Sequence, residues 1–100
     1  MYTKGGFPIT FEWDERKNQA NIRKHGIAFE DAVFVFLDPF SMETYDRKHS
    51  TWSEDRWQVV GFAERFLYVV YTERFGNIRL ISARLATEEE INAYYQKNHS

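Results

Sequence analysis

Three β-forming runs follow one another between residues 56 and 85, with links too short to do anything but turn the chain around. Residues 56–62 (Arg-Trp-Gln-Val-Val-Gly-Phe), 66–73 (Phe-Leu-Tyr-Val-Val-Tyr-Thr-Glu) and 78–85 (Ile-Arg-Leu-Ile-Ser-Ala-Arg-Leu) are dense in the β-branched and aromatic residues that suit a pleated surface. Residues 63–65 and 74–77 leave room only for tight reversals, which makes the three runs an antiparallel meander. A chain of 100 residues buries roughly two thirds of its unfolded surface, enough for one core and no more. Every other segment must therefore be arranged around this sheet, in a single domain over residues 1–100. The third run carries three arginines between Arg74 and Arg84 and is apolar enough to be expected at the middle of the sheet.

The remaining segments supply the cover. Residues 9–13 (Ile-Thr-Phe-Glu-Trp) alternate apolar and polar, as a half-buried strand does. Asp14 is placed to cap a helix running to His25, whose thin inner face is Lys17, Asn18, Asn21, Ile22 and His25; Gly26 ends it. A second helix is expected over residues 29–37, because Phe29, Ala32, Val33, Phe36 and Leu37 recur at helical spacing and Pro39 pushes Asp38 out of the helical region. Ala28 stands where a polar cap for that helix would be expected. Residues 41–45 read as a short edge strand, and residues 46–55 as a polar loop whose Trp52 either marks an exposed contact surface or, the reading preferred, lies as a lid on the core. Thr87 and Glu90 form a capping box for a last helix that puts Ile91, Tyr94 and Tyr95 on one face. The expected architecture is α+β. A small antiparallel sheet, a meander of three to four strands plus an N-terminal strand, is packed with two N-terminal helices and one C-terminal helix. Residues 1–8 are expected to be disordered or tag-like.

Composition narrows the chemistry. Without cysteine there is neither a disulfide framework nor a thiolate metal site. His25, His49 and His99 show no metal-ligand spacing, and no glycine-rich phosphate loop occurs, so no cofactor is expected. The N-terminal residues lack the apolar run of a signal peptide, and no stretch approaches the about 18 apolar residues that span a bilayer. The expected location is the cytoplasm, with no membrane partner. The net charge of −2 hides an asymmetry. Residues 1–55 hold seven Lys and Arg against ten Asp and Glu, whereas residues 56–86 hold Arg56, Arg65, Arg74, Arg79 and Arg84 against Glu64 and Glu73. The basic half is all arginine, whose planar fork suits phosphate or carboxylate. Ion pairing with the acidic half is the plainest use of these groups.

Strand alternation then sorts the third run: Ile78, Leu80, Ser82 and Arg84 share one face, Arg79, Ile81 and Ala83 the other. Unless a bulge intervenes, Arg79 and Arg84 point oppositely, and Arg84 is expected to approach Tyr94 or Tyr95 beside Lys24 and His25. Guanidinium groups near a histidine and tyrosines suit one reaction in particular, the metal-free cleavage of RNA. The substrate carries its own nucleophile, the ribose 2′-hydroxyl. The protein has only to move protons and stabilise a dianionic phosphorane, and arginines aimed at the developing charge supply the second.

At the level of motifs the chain resembles the BrnT toxins of bacterial type II toxin–antitoxin modules. One set of matching residues is Phe11-Glu12-Trp13-Asp14, Lys17-Asn18, Asn21, Lys24-His25-Gly26-Ile27, Phe29-Glu30-Asp31-Ala32, and Phe36 with Asp38-Pro39. The other is Arg56-Trp57, Gly61, Val69-Val70-Tyr71-Thr72-Glu73-Arg74, Arg79-Leu80-Ile81-Ser82-Ala83-Arg84, Ala86 and Glu90. The resemblance implies a RelE-like fold and a metal-independent endoribonuclease that cleaves RNA and inhibits translation. It also implies neutralisation by a BrnA-like antitoxin with a ribbon-helix-helix part, through which alone operator DNA is bound. Carried onto this chain, the active-site candidates are Lys24, His25, Arg56, Arg74, Arg79, Arg84 and a C-terminal tyrosine, Tyr94 or Tyr95. The competing reading is a non-catalytic module that pairs with an antitoxin for transcriptional autoregulation.

Overall fold

The computed structural model describes residues 2–4 and 7–99. In chain order they form β1 (Tyr2–Lys4), β2 (Phe7–Ile9), β3 (Phe11–Glu12), α1 (Glu15–His25) and α2 (Phe29–Ala32), which winds on into a 3-10 segment (Val33–Leu37). β4 (Met42–Tyr45), β5 (Arg56–Ala63), β6 (Arg65–Arg74), β7 (Asn77–Leu85) and α3 (Glu88–His99) follow. Within the stretch expected to lack structure, β1 and β2 pair antiparallel with each other, while Met1, Gly5 and Gly6 lie outside the described residues. The other strands make a five-stranded sheet in the order β3-β7-β6-β5-β4. The meander over β5, β6 and β7 is as the sequence indicates, but β6 and not β7 is central; β7, expected at the middle, is an inner strand between β6 and the two-residue β3.

The N-terminal strand differs from expectation in length and direction. Ile9 is drawn into the β1–β2 hairpin and Trp13 turns to pack edge-on against Phe29 at 6.0 Å, so only Phe11 and Glu12 remain as strand. They run parallel to β7, opposite Ile78 and Arg79, which makes the sheet mixed and not purely antiparallel. The long crossover that a parallel pair needs is the whole chain from α1 to β6.

One face of the sheet holds the core. Val59, Leu67, Val69, Tyr71, Ile78, Leu80 and Ala83 meet Ile27, Phe29, Ala32, Val35 and Phe36. Phe36 fits between Phe11 and Tyr71 with ring centroids 5.3 and 5.0 Å away. The continuous α-helix expected over residues 29–37 tightens to 3-10 winding after Ala32. Three residues per turn align Phe29, Ala32 and Val35, so Val35 is fully buried while Leu37, expected inside, is 53% exposed. Gly61 of β5 permits this approach, since a Cβ there would lie 3.1 Å from both Cβ and the carbonyl oxygen of Val35.

α1 meets the sheet through amides. Its inner residues Asn18 and Asn21 are buried, whereas Lys17 is exposed. Asn21 donates to the carbonyls of Ala83 and Ile27, both at 2.8 Å, and accepts the Ala83 N–H at 3.1 Å. Both bonds to Ala83 continue the ladder where β3 has ended, so one side chain takes the place of a neighbouring strand. Asn18 accepts the Phe29 N–H at 2.8 Å and donates to Glu30 at 2.8 Å. It thereby supplies the cap that Ala28 lacks. α3 lies across one end of the opposite face, opened by the expected capping box: Thr87 N–H to Glu90 at 2.9 Å and Glu90 N–H to Thr87 at 3.2 Å. No helix among the described residues is long and apolar enough to cross a membrane.

Candidate active site

A β-bulge decides which side chains can cooperate. Along β6 and β7 the pairs run Tyr68↔Arg84, Val69↔Ala83 and Val70↔Ser82, then shift to Tyr71↔Leu80 and Thr72↔Arg79. Ile81 is the extra residue. On a regular strand Arg79 and Arg84 would point oppositely; the inserted residue returns both to the face away from the core. The burial pattern agrees, with Ile78, Leu80 and Ala83 all inward and both arginines part-exposed.

Following the register across the sheet gives three rows on that outer face. Arg56, Thr72, Arg79 and Glu12 form the first, Thr44, Gln58, Val70 and Ser82 the second, and Met42, Val60, Tyr68 and Arg84 the third. Arg56 and Arg79 stand two strand spacings apart, roughly 10 Å, and Arg84 lies two rows on, about 13 Å along the strand. Each guanidinium has a carboxylate beside it. Arg56 Nε donates to Glu54 at 3.0 Å, and Arg79 donates one terminal nitrogen to Glu12 at 3.2 Å. Arg84 is held on both terminal nitrogens by Glu90, at 2.8 and 2.9 Å, and lies 3.8 Å over the Tyr68 ring. Ion pairing with the acidic half thus accounts for part of the arginine excess. Glu90 raises the affinity of Arg84 for its proton; burial pushes the Glu90 carboxyl up, and the hydrogen bonds from Arg84 and Thr87 outweigh it and hold it low. Burial likewise pushes the Tyr68 phenol up, with Arg84 only partly opposing, so Tyr68 stays a neutral donor. Among the described residues, Arg56 keeps both terminal nitrogens uncommitted and Arg79 keeps one. They are the groups of this face best able to meet a phosphate.

At the β4 edge the same face holds a pair that is not among the candidates drawn from the sequence. Asp46, only 5% exposed, accepts from His49 Nδ1 at 3.0 Å and from the His49 N–H at 3.2 Å. Burial acts to raise the Asp46 carboxyl, but hydrogen bonds from the Gln58 side chain and from His49 prevail and keep it ionised. The signal available was local: an aspartate three residues before a histidine is the spacing of a side-chain-capped turn. Trp52, expected to cover the core, is instead fully exposed at the tip of this loop.

Other candidates fall elsewhere. Lys24 and His25 make no side-chain hydrogen bond or ion pair among the described residues, and none joins them to Arg84. Arg74 stands at the far end of β6, opposite Asn77, about 20 Å along the strand from the Tyr68–Arg84 pair. Tyr94 does not meet Arg84. It is 7% exposed, donates to Asp38 at 2.8 Å, and burial with that carboxylate pushes its phenol up to about 12. Tyr95 packs on Phe66 at 5.7 Å and carries His99 stacked at 6.2 Å. Both tyrosines line an open apolar groove of about 530 Å³ with Phe34, Leu37, Phe40 and Phe62. No group of three or more His, Asp or Glu side chains among the described residues converges to hold a metal ion.

A five-stranded mixed sheet with helices on one face and α3 at one end of the other defines a small α+β class. The crystal structure of the Brucella abortus ribonuclease toxin BrnT shares this fold, with a TM-score of 0.65 and 24% identity over 81% of this chain and 100% of that one. Residues 13–90 match the family described as the ribonuclease toxin BrnT of type II toxin–antitoxin systems, and the chain belongs to that family. None of the curated proteins matches the sequence. The family is one of ribonuclease toxins, and a type II module pairs each toxin with an antitoxin.

Proposed function

We propose that this protein is a metal-independent endoribonuclease on a RelE-type sheet. It cleaves RNA in the cytoplasm, inhibits translation, and is neutralised by a BrnA-like antitoxin that carries a ribbon-helix-helix DNA-binding part. The observation that carries the reading is the bulge at Ile81, which brings Arg79 to the same face as Arg56 and Arg84. In cleavage by the ribose 2′-hydroxyl, negative charge grows on the non-bridging phosphate oxygens. Guanidinium groups fixed beforehand by Glu54 and Glu12 stabilise that charge without reorganising. Arg84, clamped by Glu90 and Tyr68, sets the floor and the position of α3.

The test is incubation of the free protein with RNA in EDTA. Cleavage by the wild type, with a loss of about 100-fold in Arg56→Ala or Arg79→Ala while circular dichroism is unchanged, supports the reading. Absence of cleavage, or cleavage that requires an added divalent ion, would sink it. A second reading has its own observation: Arg56, Arg79 and Arg84 each already have a carboxylate partner, as they would in a non-catalytic module that docks an acidic antitoxin segment. Growth arrest on expression of the protein alone separates the two, since a binding module has no reason to stop growth.

A further inference from the structure

We infer that His49, oriented by Asp46, is the catalytic residue that takes the 2′-hydroxyl proton in this reaction, an assignment that rests on the ribonuclease reading above. Among the three histidines, His99 stacks on Tyr95 in the apolar groove and His25 ends α1 without a side-chain partner among the described residues. His49 is held by a carboxylate, with Nδ1 3.0 Å from one oxygen of Asp46 and 3.2 Å from the other. An ionised carboxylate only accepts, so Nδ1 carries the hydrogen, and in the neutral ring Nε2 is the nitrogen with the lone pair. The two residues divide the work by burial. The Asp46 side chain is 6% exposed and the His49 side chain 57%, a fixed anchor beneath an accessible ring.

The turn that carries His49 is fastened to the arginine face. Asp46 N–H donates to the Arg56 carbonyl at 2.8 Å, and Ser50 Oγ accepts the Arg56 N–H at 2.8 Å while donating to the Asp46 carbonyl at 2.6 Å. The proton acceptor is therefore tied to the residue whose terminal guanidinium nitrogens are free to meet a phosphate. The turn of His49 carries Asp46, Arg47 and Lys48, and Asp46 in turn faces Tyr68 of β6, over which Arg84 lies with Glu90 behind it. In the step itself the 2′-oxygen forms its bond to phosphorus as its proton passes to Nε2. The bond from phosphorus to the 5′-oxygen breaks, the electron pair leaves on that oxygen, and water protonates it. The products are a 2′,3′-cyclic phosphate and a 5′-hydroxyl end, and His49 returns its proton to solvent.

Three variants test the assignment on a single-stranded oligoribonucleotide, with a 2′-O-methyl version that cannot be cleaved as the binding probe. His49→Asn keeps a donor for Asp46 at the place of Nδ1 and removes Nε2. Its cleavage rate should fall by about 100-fold or more with probe binding unchanged. His49→Ala should be equally slow and be partly restored by added imidazole. Asp46→Asn, which alters a positioning residue, should lower kcat by about tenfold or more and leave KM in place. Wild-type cleavage with an undiminished rate in His49→Asn would overturn the assignment but not the ribonuclease reading. So would a loss in His49→Asn matched by an equal loss of probe binding, or the absence of imidazole rescue in His49→Ala. Failure of the wild type to cleave overturns the reading beneath it.

Discussion

Single residues decide more here than their type reveals. Phe75 and Gly76 form the two-residue turn between β6 and β7, and both have positive φ, 52° and 81°. Such a turn matches the twist of the strands and wants Asn-Gly, whereas a phenylalanine in that region is strained. Phe75 is 97% exposed, so no packing compensates among the described residues. Phe75→Asn should therefore raise stability by about 1 kcal/mol in urea or thermal unfolding; a loss would mean that the ring has a contact of its own. Arg84 shows what a sequence can and cannot say about a residue. Its place at the end of an apolar strand was legible. Its direction was not, because counting alternate residues fails as soon as Ile81 is inserted, and its partner was not, because Glu90 reaches it only once α3 has docked. The Asp46–His49 pair lay within reach of local reasoning, but a polar loop with no apolar periodicity gave no cause to look.

At the scale of elements, the meander and the capped helices were legible because their signals are local: β-forming runs, short links, Asp14 before α1 and Thr87 with Glu90 before α3. The bend of α2 into 3-10 winding was not, because it answers to Gly61 on another element. Gly61→Ala should cost about 1–2 kcal/mol, as the added methyl must push the Val35 backbone away from the sheet. The cap of α2 gives a paired prediction. Asn18 is fully buried and already satisfies the Phe29 N–H, so Asn18→Ala should destabilise by about 2–3 kcal/mol. Ala28→Ser should add well under the roughly 1 kcal/mol that a missing cap normally returns. Chemical denaturation of the two variants measures both. An equal and large effect at Ala28 would show that Asn18 does not serve as the cap.

For the whole molecule, the division into an acidic first half and an arginine-rich second half is partly closed by Glu12 to Arg79 and Glu54 to Arg56, while Glu90, outside the acidic half, closes α3 onto Arg84. Stability should respond to pH on both sides. Asp46 and Glu90 have folded-state pKa values below the ordinary carboxylate value. Their contribution is complete above that value and is lost as pH falls through the depressed one. Tyr94 behaves oppositely: its phenol is raised from 10.0 to about 12, so its contribution is complete below pH 10 and is lost as pH climbs toward 12. Melting temperatures followed across that alkaline window should fall in the wild type and fall less in Tyr94→Phe, with Tyr71, also raised, supplying the remainder.

The amide of Asn21 has a consequence beyond the bonds it makes. Beyond the two residues of β3, β7 would otherwise offer hydrogen-bonding groups to any passing strand, the usual beginning of aggregation. By occupying both groups of Ala83, Asn21 acts as a stopper on that side and leaves β4 as the flank where the sheet can grow. Asn21→Ala should then yield a protein that is not only weaker but sticky. Light scattering at rising concentration would detect self-association in the variant and not in the parent, and its absence would mean that the body of α1 suffices as the guard.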